Sequence, residues 1–257
     1  MLLALSLNKL APLPIKRLVI VIAISVNAGS ILTPLGNPQN LFLWQTSGVA
    51  FGAFVWALLP LCAALMALLG IVTFAMFRNA PLDLSADVEA HPVDKLLCVV
   101  SAIAFAVFVA LADAHHAGPG LAVLAIGFLL WRREVVFRVD FLLLLIFVLM
   151  FIVLRSAAAL PSIHAAIANI GIGTPVRACA AGTVLSQGIS NVPAVIVLAE
   201  FSKDWRALAF GVSVGGFGIA IGSLANLIAM RLSGEKGMWM PFHLVSIPFG
   251  IVALVIG

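Results

Sequence analysis

NAGSILTPLGNPQN, residues 27–40, places two prolines, two glycines and six hydroxyl or amide side chains inside an otherwise apolar stretch. A regular lipid-facing helix does not accommodate that. Pro34 and Pro38 remove backbone donors and disfavour helical geometry in the residues before them, while Gly29 and Gly36 permit conformations closed to other residues. Backbone groups freed at membrane depth cost several kcal/mol each if left unpaired, so this segment must face protein or a polar cavity. Such a break is how a transporter builds an ion or substrate site.

The composition places the chain in a membrane: 63% of residues are hydrophobic and 9% charged, with a mean hydropathy of +1.22. Residues 48–77 run thirty positions without a charge, 96–112 seventeen and 141–154 fourteen, and spans near 114–131 and 238–257 complete the set. A helix needs roughly 20 residues to cross, so 114–131 is short and relies on Arg132 and Arg133 reaching back to the interface. Nothing reads as a cleavable signal peptide. Cys62, Cys98 and Cys179 are far apart with no CxxC pair, which suggests neither a disulfide framework nor a zinc site. The net charge of +4 marks no nucleic-acid partner, because basic excess in a membrane chain belongs to cytoplasmic loops.

Alternating the spans puts Lys9, Lys16, Arg17, Arg78, Lys95, Arg132, Arg133, Arg138, Arg231 and Lys236 on one face, ten of the fourteen Lys and Arg. That face is expected to be cytoplasmic, so the loop 78–95 lies inside and the carboxyl terminus at Gly257 outside. The topology closes only if residues about 174–201 enter and leave from the same side as a re-entrant hairpin. Ser186-Gln187-Gly188 and Ser190-Asn191-Val192-Pro193 supply its polar turn. A kinked spanning helix is the competing reading of that segment taken alone.

A second copy of the first signal follows. Residues 213–227 read SVGGFGIAIGSLANL, and at an offset of 186 Gly29 meets Gly215, Gly36 meets Gly222, Asn40 meets Asn226 and Leu41 meets Leu227. With two residues of slippage, Ser25-Val26 also meet Ser213-Val214. The broken segment 16–46 starts inside and the broken segment 205–231 outside, which implies repeats inverted across the membrane plane. The expected fold is an all-α polytopic membrane protein, an inverted-repeat secondary transporter with a re-entrant hairpin and two discontinuous helices. Its organisation would be 1–77 as the end of a first repeat (a residual hairpin arm, the broken helix 16–46 and the span 48–77), 78–94 as a cytoplasmic linker, and 95–257 as a second repeat. The second repeat would hold the hairpin of about 174–201, the broken helix 205–231 and the final span 238–257.

NAGSILTPLGNPQNLFLW, SNVPAV and VGGFGIAIGSLANLIAMR resemble the bacterial inner-membrane ion transporter superfamily that contains citrate-transporter-like permeases, arsenite permeases and a branch of sodium/proton antiporters. The resemblance implies that Ser190, Asn191, Val192 and Pro193 form the second hairpin tip. It assigns Gly215, Gly216, Gly218, Gly222, Ser223 and Asn226 to the second break, and Asn27, Gly29, Ser30, Thr33, Pro34, Gly36, Asn37 and Pro38 to the first, all as substrate- or ion-binding positions. In that family a first hairpin with its own Ser/Thr-Asn signature precedes the first break. Only about fifteen residues lie before Lys16, and Leu2 to Leu13 reads as that hairpin's descending arm, so an amino-terminally truncated transporter is expected.

No acidic residue lies between Lys16 and Thr46, and only Glu200 and Asp204 lie between Thr174 and Arg231. An intramembrane carboxylate is the usual proton carrier. The chemistry therefore favours an anion held by hydroxyls, amides and helix amino termini beside a cation bound by carbonyl oxygens. The expected function is secondary active transport of a small inorganic or organic anion, with Na+ or H+ as coupling ion, no cofactor, and no metal beyond sodium at the same site. Sodium/proton antiport and a non-transporting remnant are the alternatives. The expected partners besides the anion are the lipid bilayer and a second copy of the chain in a homodimer. An intramembrane hydrolase lacks a histidine near Ser186, Ser190 or Ser213, and a channel would need an oligomeric ring. His91, His115, His116, His164 and His243 read as loop or interface residues, Asp83, Asp87, Glu89 and Asp94 as a solvated linker, and Trp44, Trp131 and Trp239 as interfacial aromatics.

Overall fold

The computed structural model describes residues 14–77 and 94–256, an array of α-helices with one 3-10 turn. Leu2 to Leu13 and nearly all of the acidic linker, including His91, lie outside the described residues. The chain divides into two compact units, Asp87–Leu149 and the remainder.

In the larger unit the first broken segment is two helices, α1 (Ile15–Ser30) and α2 (Pro38–Ser47), separated by seven irregular residues. Helix α2 starts where a proline at its first position follows an asparagine cap: Asn37 Oδ1 accepts the Asn40 amide at 2.8 Å. It ends at Gly48, whose φ of 66° is the left-handed stop that glycine supplies without strain. Helix α3 (Phe51–Met76) follows with 26 residues and a hydropathy of 2.5, long enough to cross despite Pro60 in its interior.

The smaller unit holds α4 (Lys95–Asp113), α5 (Ala117–Trp131), the short α6 (Arg133–Phe137) and the first part of α7 (Phe141–Ala158). Asp94 caps α4 by accepting the Leu97 amide at 3.0 Å and pairs with Arg132 at 3.0 Å. Both partners of that pair are substantially exposed, so it contributes at most about 1 kcal/mol. Large apolar residues such as Ile103, Phe105, Leu121 and Ile126 are exposed, as lipid-facing surfaces are. The expected span 114–131 is shortened at its start, where His115 takes a φ of 61° and the helix begins at Ala117.

Back in the larger unit, α8 (Pro161–Ile170) is a ten-residue helix that the sequence reading did not anticipate. The segment read as a re-entrant hairpin forms α9 (Pro175–Ile189) and α10 (Asn191–Leu198), packed on each other and joined through Ser190 alone. Next come α11 (Trp205–Gly215), the 3-10 turn Ala220–Gly222, α12 (Leu224–Ser233) and α13 (Trp239–Ile256). Asp204 caps α11 through the Ala207 amide at 3.0 Å. Among the described residues four helices are long and apolar enough to cross a membrane: α3, α4, α7 and α13.

The two broken helices match in detail at the offset of 186. Asn37 and Ser223 are both caps, α2 and α12 are both ten residues long, and Gly48 and Gly234 both end them at a φ of 66°. Asn40 donates to the Ser30 carbonyl at 3.3 Å and Asn226 to the Gly216 carbonyl at 3.0 Å, each reaching back ten residues across its break. Packing is reciprocal as well, α1 against α12 and α2 against α11, which is the pattern a two-fold relation produces. The constant offset sets Asn27, rather than Ser25, opposite Ser213.

Close approach explains the glycines. A Cβ on Gly36 would strike the Ser30 carbonyl, and one on Gly222 would meet the Gly215 carbonyl at 2.5 Å, whereas Gly29 faces open space. Gly36→Ala should therefore destabilise the fold by about 2–3 kcal/mol, as overpacking does. Gly29→Ala should be neutral or stabilise by up to about 1 kcal/mol, through helix propensity. Thermal unfolding of the two variants in detergent checks the difference; equal effects would contradict the close approach.

Candidate functional site

Both breaks, the tip of the α9–α10 pair and the start of α13 carry the polar side chains of the larger unit's interior. In the first break, Asn37 Nδ2 donates to the Ser30 carbonyl at 3.2 Å and to Ser30 Oγ at 3.1 Å. Asn40 Nδ2 lies 3.3, 2.9 and 3.2 Å from the carbonyls of Ser30, Ile31 and Thr33. One amide group thus serves the last carbonyl of α1 and two carbonyls of the break itself. Pro34 is buried in this loop, Pro38 opens α2, and Gly36 and Gly29 are exposed.

The second break is tied to the first broken helix. Asn27 Nδ2 donates to Asn226 Oδ1 at 2.7 Å and to the Gly216 carbonyl at 3.4 Å, while Ser223 Oγ donates to Asn27 Oδ1 at 2.7 Å. Asn27, Ser223 and Asn226 are each at least 93% buried. Their amide and hydroxyl groups are engaged, so these residues hold the break together and have little capacity left for a solute. The same applies to Asn37.

Three further residues, absent from the sequence-derived site, complete the second break. Gln187 donates to the carbonyls of Gly215 and Phe217 at 2.8 and 2.9 Å and accepts the Ile219 amide at 2.8 Å. Ser246 accepts the Gly218 amide through both its carbonyl and its hydroxyl at 3.1 Å. His243 accepts the Ala220 amide at Nε2, 3.1 Å, while Nδ1 lies 2.7 Å from the Trp239 carbonyl, an arrangement that assigns the proton to Nδ1. The reading of His243 as a loop or interface histidine is therefore corrected: it sits within α13 and holds the break from the side. Trp44, taken as interfacial, is likewise buried, edge-on to Phe51 at 5.8 Å.

Asn191 differs from the other asparagines. It is 3% exposed, and its Oδ1 accepts only a long bond from Ser190 Oγ at 3.4 Å. Its Nδ2 donates no hydrogen bond to the described residues and lies 3.2 Å from where a Cβ on Gly216 would sit. Ser190 adopts φ 74°, ψ 154°, a region essentially reserved for glycine, and provides no side-chain cap to α10. Val192 is buried behind the tip, and Pro193 lies in its first turn without an amide hydrogen to offer. The tip therefore combines a strained residue, an uncommitted amide and an uncapped helix amino terminus.

Gly215 is pressed against Ser186 of α9, and Gly218 holds a φ of 94° beside Gln187. A largely apolar cavity of about 330 Å³ touches the second break through Gln187, Phe217 and Gly218. A larger one of about 600 Å³ is lined by Ala57, Val176, Cys179, Phe210 and Leu254 with Asp204 and Arg206. Linings of that kind suit hydrocarbon better than a small anion. Among the described residues no three His, Cys, Asp or Glu side chains cluster to hold a metal ion.

A family model described as citrate transporter matches residues 1–204. The inner membrane protein YbiR of Escherichia coli is 37% identical over 256 residues, 99% of this chain and 68% of that protein. An uncharacterized transporter of Methanocaldococcus jannaschii is 32% identical over 243 residues, 90% of this chain and 63% of that protein. A silicon efflux transporter of Oryza sativa subsp. japonica is 37% identical over 65 residues, 25% of this chain and 13% of that protein. The chain thus spans about two thirds of the two relatives that it matches almost throughout.

Gln187→Leu would leave three backbone groups of the second break unpaired and should cost about 2–4 kcal/mol of stability. Ser190→Gly should instead raise stability, by about 1–3 kcal/mol, because it relieves the backbone strain at the tip. Chemical denaturation of both variants measures the signs. Destabilisation by Ser190→Gly would contradict the strained tip.

Proposed function

The chain belongs to the citrate transporter family, and on that premise we propose that it carries a small anion, a carboxylate or an oxyanion, across the bacterial inner membrane by alternating access, coupled to sodium or protons. A chain of this family is a multi-pass membrane transporter rather than an enzyme. The observation that carries the finer reading is the tip at Ser190-Asn191, where an uncommitted amide and an uncapped helix amino terminus stand beside Gly216.

Positive helix ends and neutral donors select negative charge. No Asp, Glu, His, Lys or Arg occurs from Leu18 to Phe77 or from Ala207 to Met230, which leaves the breaks without a carboxylate to carry a proton. Carbonyls bared by the breaks suit a coupling sodium ion. The matched breaks and the opposite starting sides inferred from charge support a pair of inverted repeats, each ending in a discontinuous helix. With that topology the loop 78–95 is cytoplasmic and the carboxyl terminus external. The name of the Escherichia coli relative agrees with an inner-membrane location, and that of the rice relative adds silicon to the solutes worth testing.

Thermal unfolding of the purified full chain with citrate, other di- and tricarboxylates, arsenite, silicic acid or sodium tests the proposal. A true solute stabilises by RT ln(1 + [L]/Kd), about 2.7 kcal/mol at a hundred times Kd. At least one anion is expected to stabilise the chain, with Asn191→Ala removing that shift while the unliganded variant still unfolds cooperatively. Stabilisation by sodium alone, with no anion effective, would replace anion transport by sodium/proton antiport.

A further inference from the structure

The offset that matches the two breaks pairs Asn27 with Ser213 and Asn226 with Asn40. Between one member of each pair the structure makes a strong contact, the 2.7 Å bond from Asn27 Nδ2 to Asn226 Oδ1, which joins α1 to α12. Its counterpart would run from Ser213 Oγ to Asn40 Oδ1 and join α11 to α2, helices that do pack on each other. Among the described residues those same two atoms, Asn40 Oδ1 and Ser213 Oγ, are the buried side-chain polar atoms left without a hydrogen-bond partner. Asn40 is fully buried and Ser213 is 3% exposed, so water does not readily compensate either atom. Serine reaches less far than asparagine, which keeps the counterpart bond from closing in the same geometry.

We propose that Ser213 and Asn40 are the second half of a two-bond latch between the broken helices, closed at Asn27–Asn226 and open at Ser213–Asn40 in this conformation. Among the described residues the second break is then held from α1, from α9 through Gln187 and from α13, whereas the first is held by the side chains of its own segment. The first break, residues 31–37, is therefore the half that moves, and its movement brings Asn40 onto Ser213. An inverted-repeat transporter whose halves differ in this way has a built-in preference for one side of its cycle. The inference rests on the repeat pairing proposed above and not on the identity of the solute.

Segment-resolved hydrogen exchange on the full chain in detergent tests the latch without any transport assay. Amides of residues 31–40 should exchange faster than those of 217–226 in the unaltered chain. Ser213→Asn, which supplies the missing reach, should slow 31–40 by about 2- to 10-fold, the range of one added hydrogen bond, and leave 217–226 unchanged. The swap Asn27→Ser with Ser213→Asn should reverse the order of the two segments. Equal or reversed rates in the unaltered chain would overturn the proposal even if no variant folded, and so would a folded S213N protein with unchanged exchange at 31–40. Loss of anion binding with this pattern intact would count against the solute alone.

Discussion

The structure depends on how backbone groups are satisfied where a helix stops inside a membrane-spanning region. A broken helix releases carbonyls at one end and amides at the other, and hydrocarbon offers them no partner. Here side-chain amides take that role. Asn40 collects the carbonyls of Ser30, Ile31 and Thr33, Gln187 spans Gly215 to Ile219, and Asn27 fastens Asn226, Ser223 and Gly216 into one buried cluster. Breaking such a network leaves unpaired polar atoms in a low-dielectric interior, which costs far more than each bond contributes singly.

Small residues make the arrangement compact. Gly211 and Gly215 bring α11 against Cys179 and Ser186 of α9, and Thr183 Oγ1 donates to the Gly211 carbonyl at 3.1 Å. Close helix packing of this kind replaces the hydrophobic drive that lipid does not provide. It also brings the α9–α10 tip beside the second break, so that the strained Ser190, the open amide of Asn191 and Gly216 fall together. The rigid part of the site is thus made by residues that bind one another. The part left unspent, where we propose that the solute binds, is small, neutral and bounded by a helix end.

Local chemistry was legible in the sequence. Prolines and glycines between Asn27 and Asn40 marked a break, the constant offset to Gly215, Gly222 and Asn226 marked its second copy, and Ser190-Asn191-Val192-Pro193 marked the tip. What could not be read was the destination of each side chain. Asn27 and Asn191 look alike in sequence, yet one is spent on residues 189 to 199 positions away and the other keeps an unspent donor. For the same reason Gln187 was read only as part of a polar turn, His243 as a loop or interface residue and Ser246 not at all, since their partners lie 23 to 32 residues away. Helix α8 escaped because its ten residues are too few to mark a span.

If the Asn27 cluster couples the two broken helices, its members must lose stability jointly rather than separately. A double-mutant cycle on Asn27→Ala and Asn226→Ala, read by chemical denaturation of the purified chain, measures that coupling directly. The account predicts an interaction energy of about 1–3 kcal/mol, the range for residues in one buried network. Additivity within about 0.5 kcal/mol, the behaviour of independent sites, would contradict it.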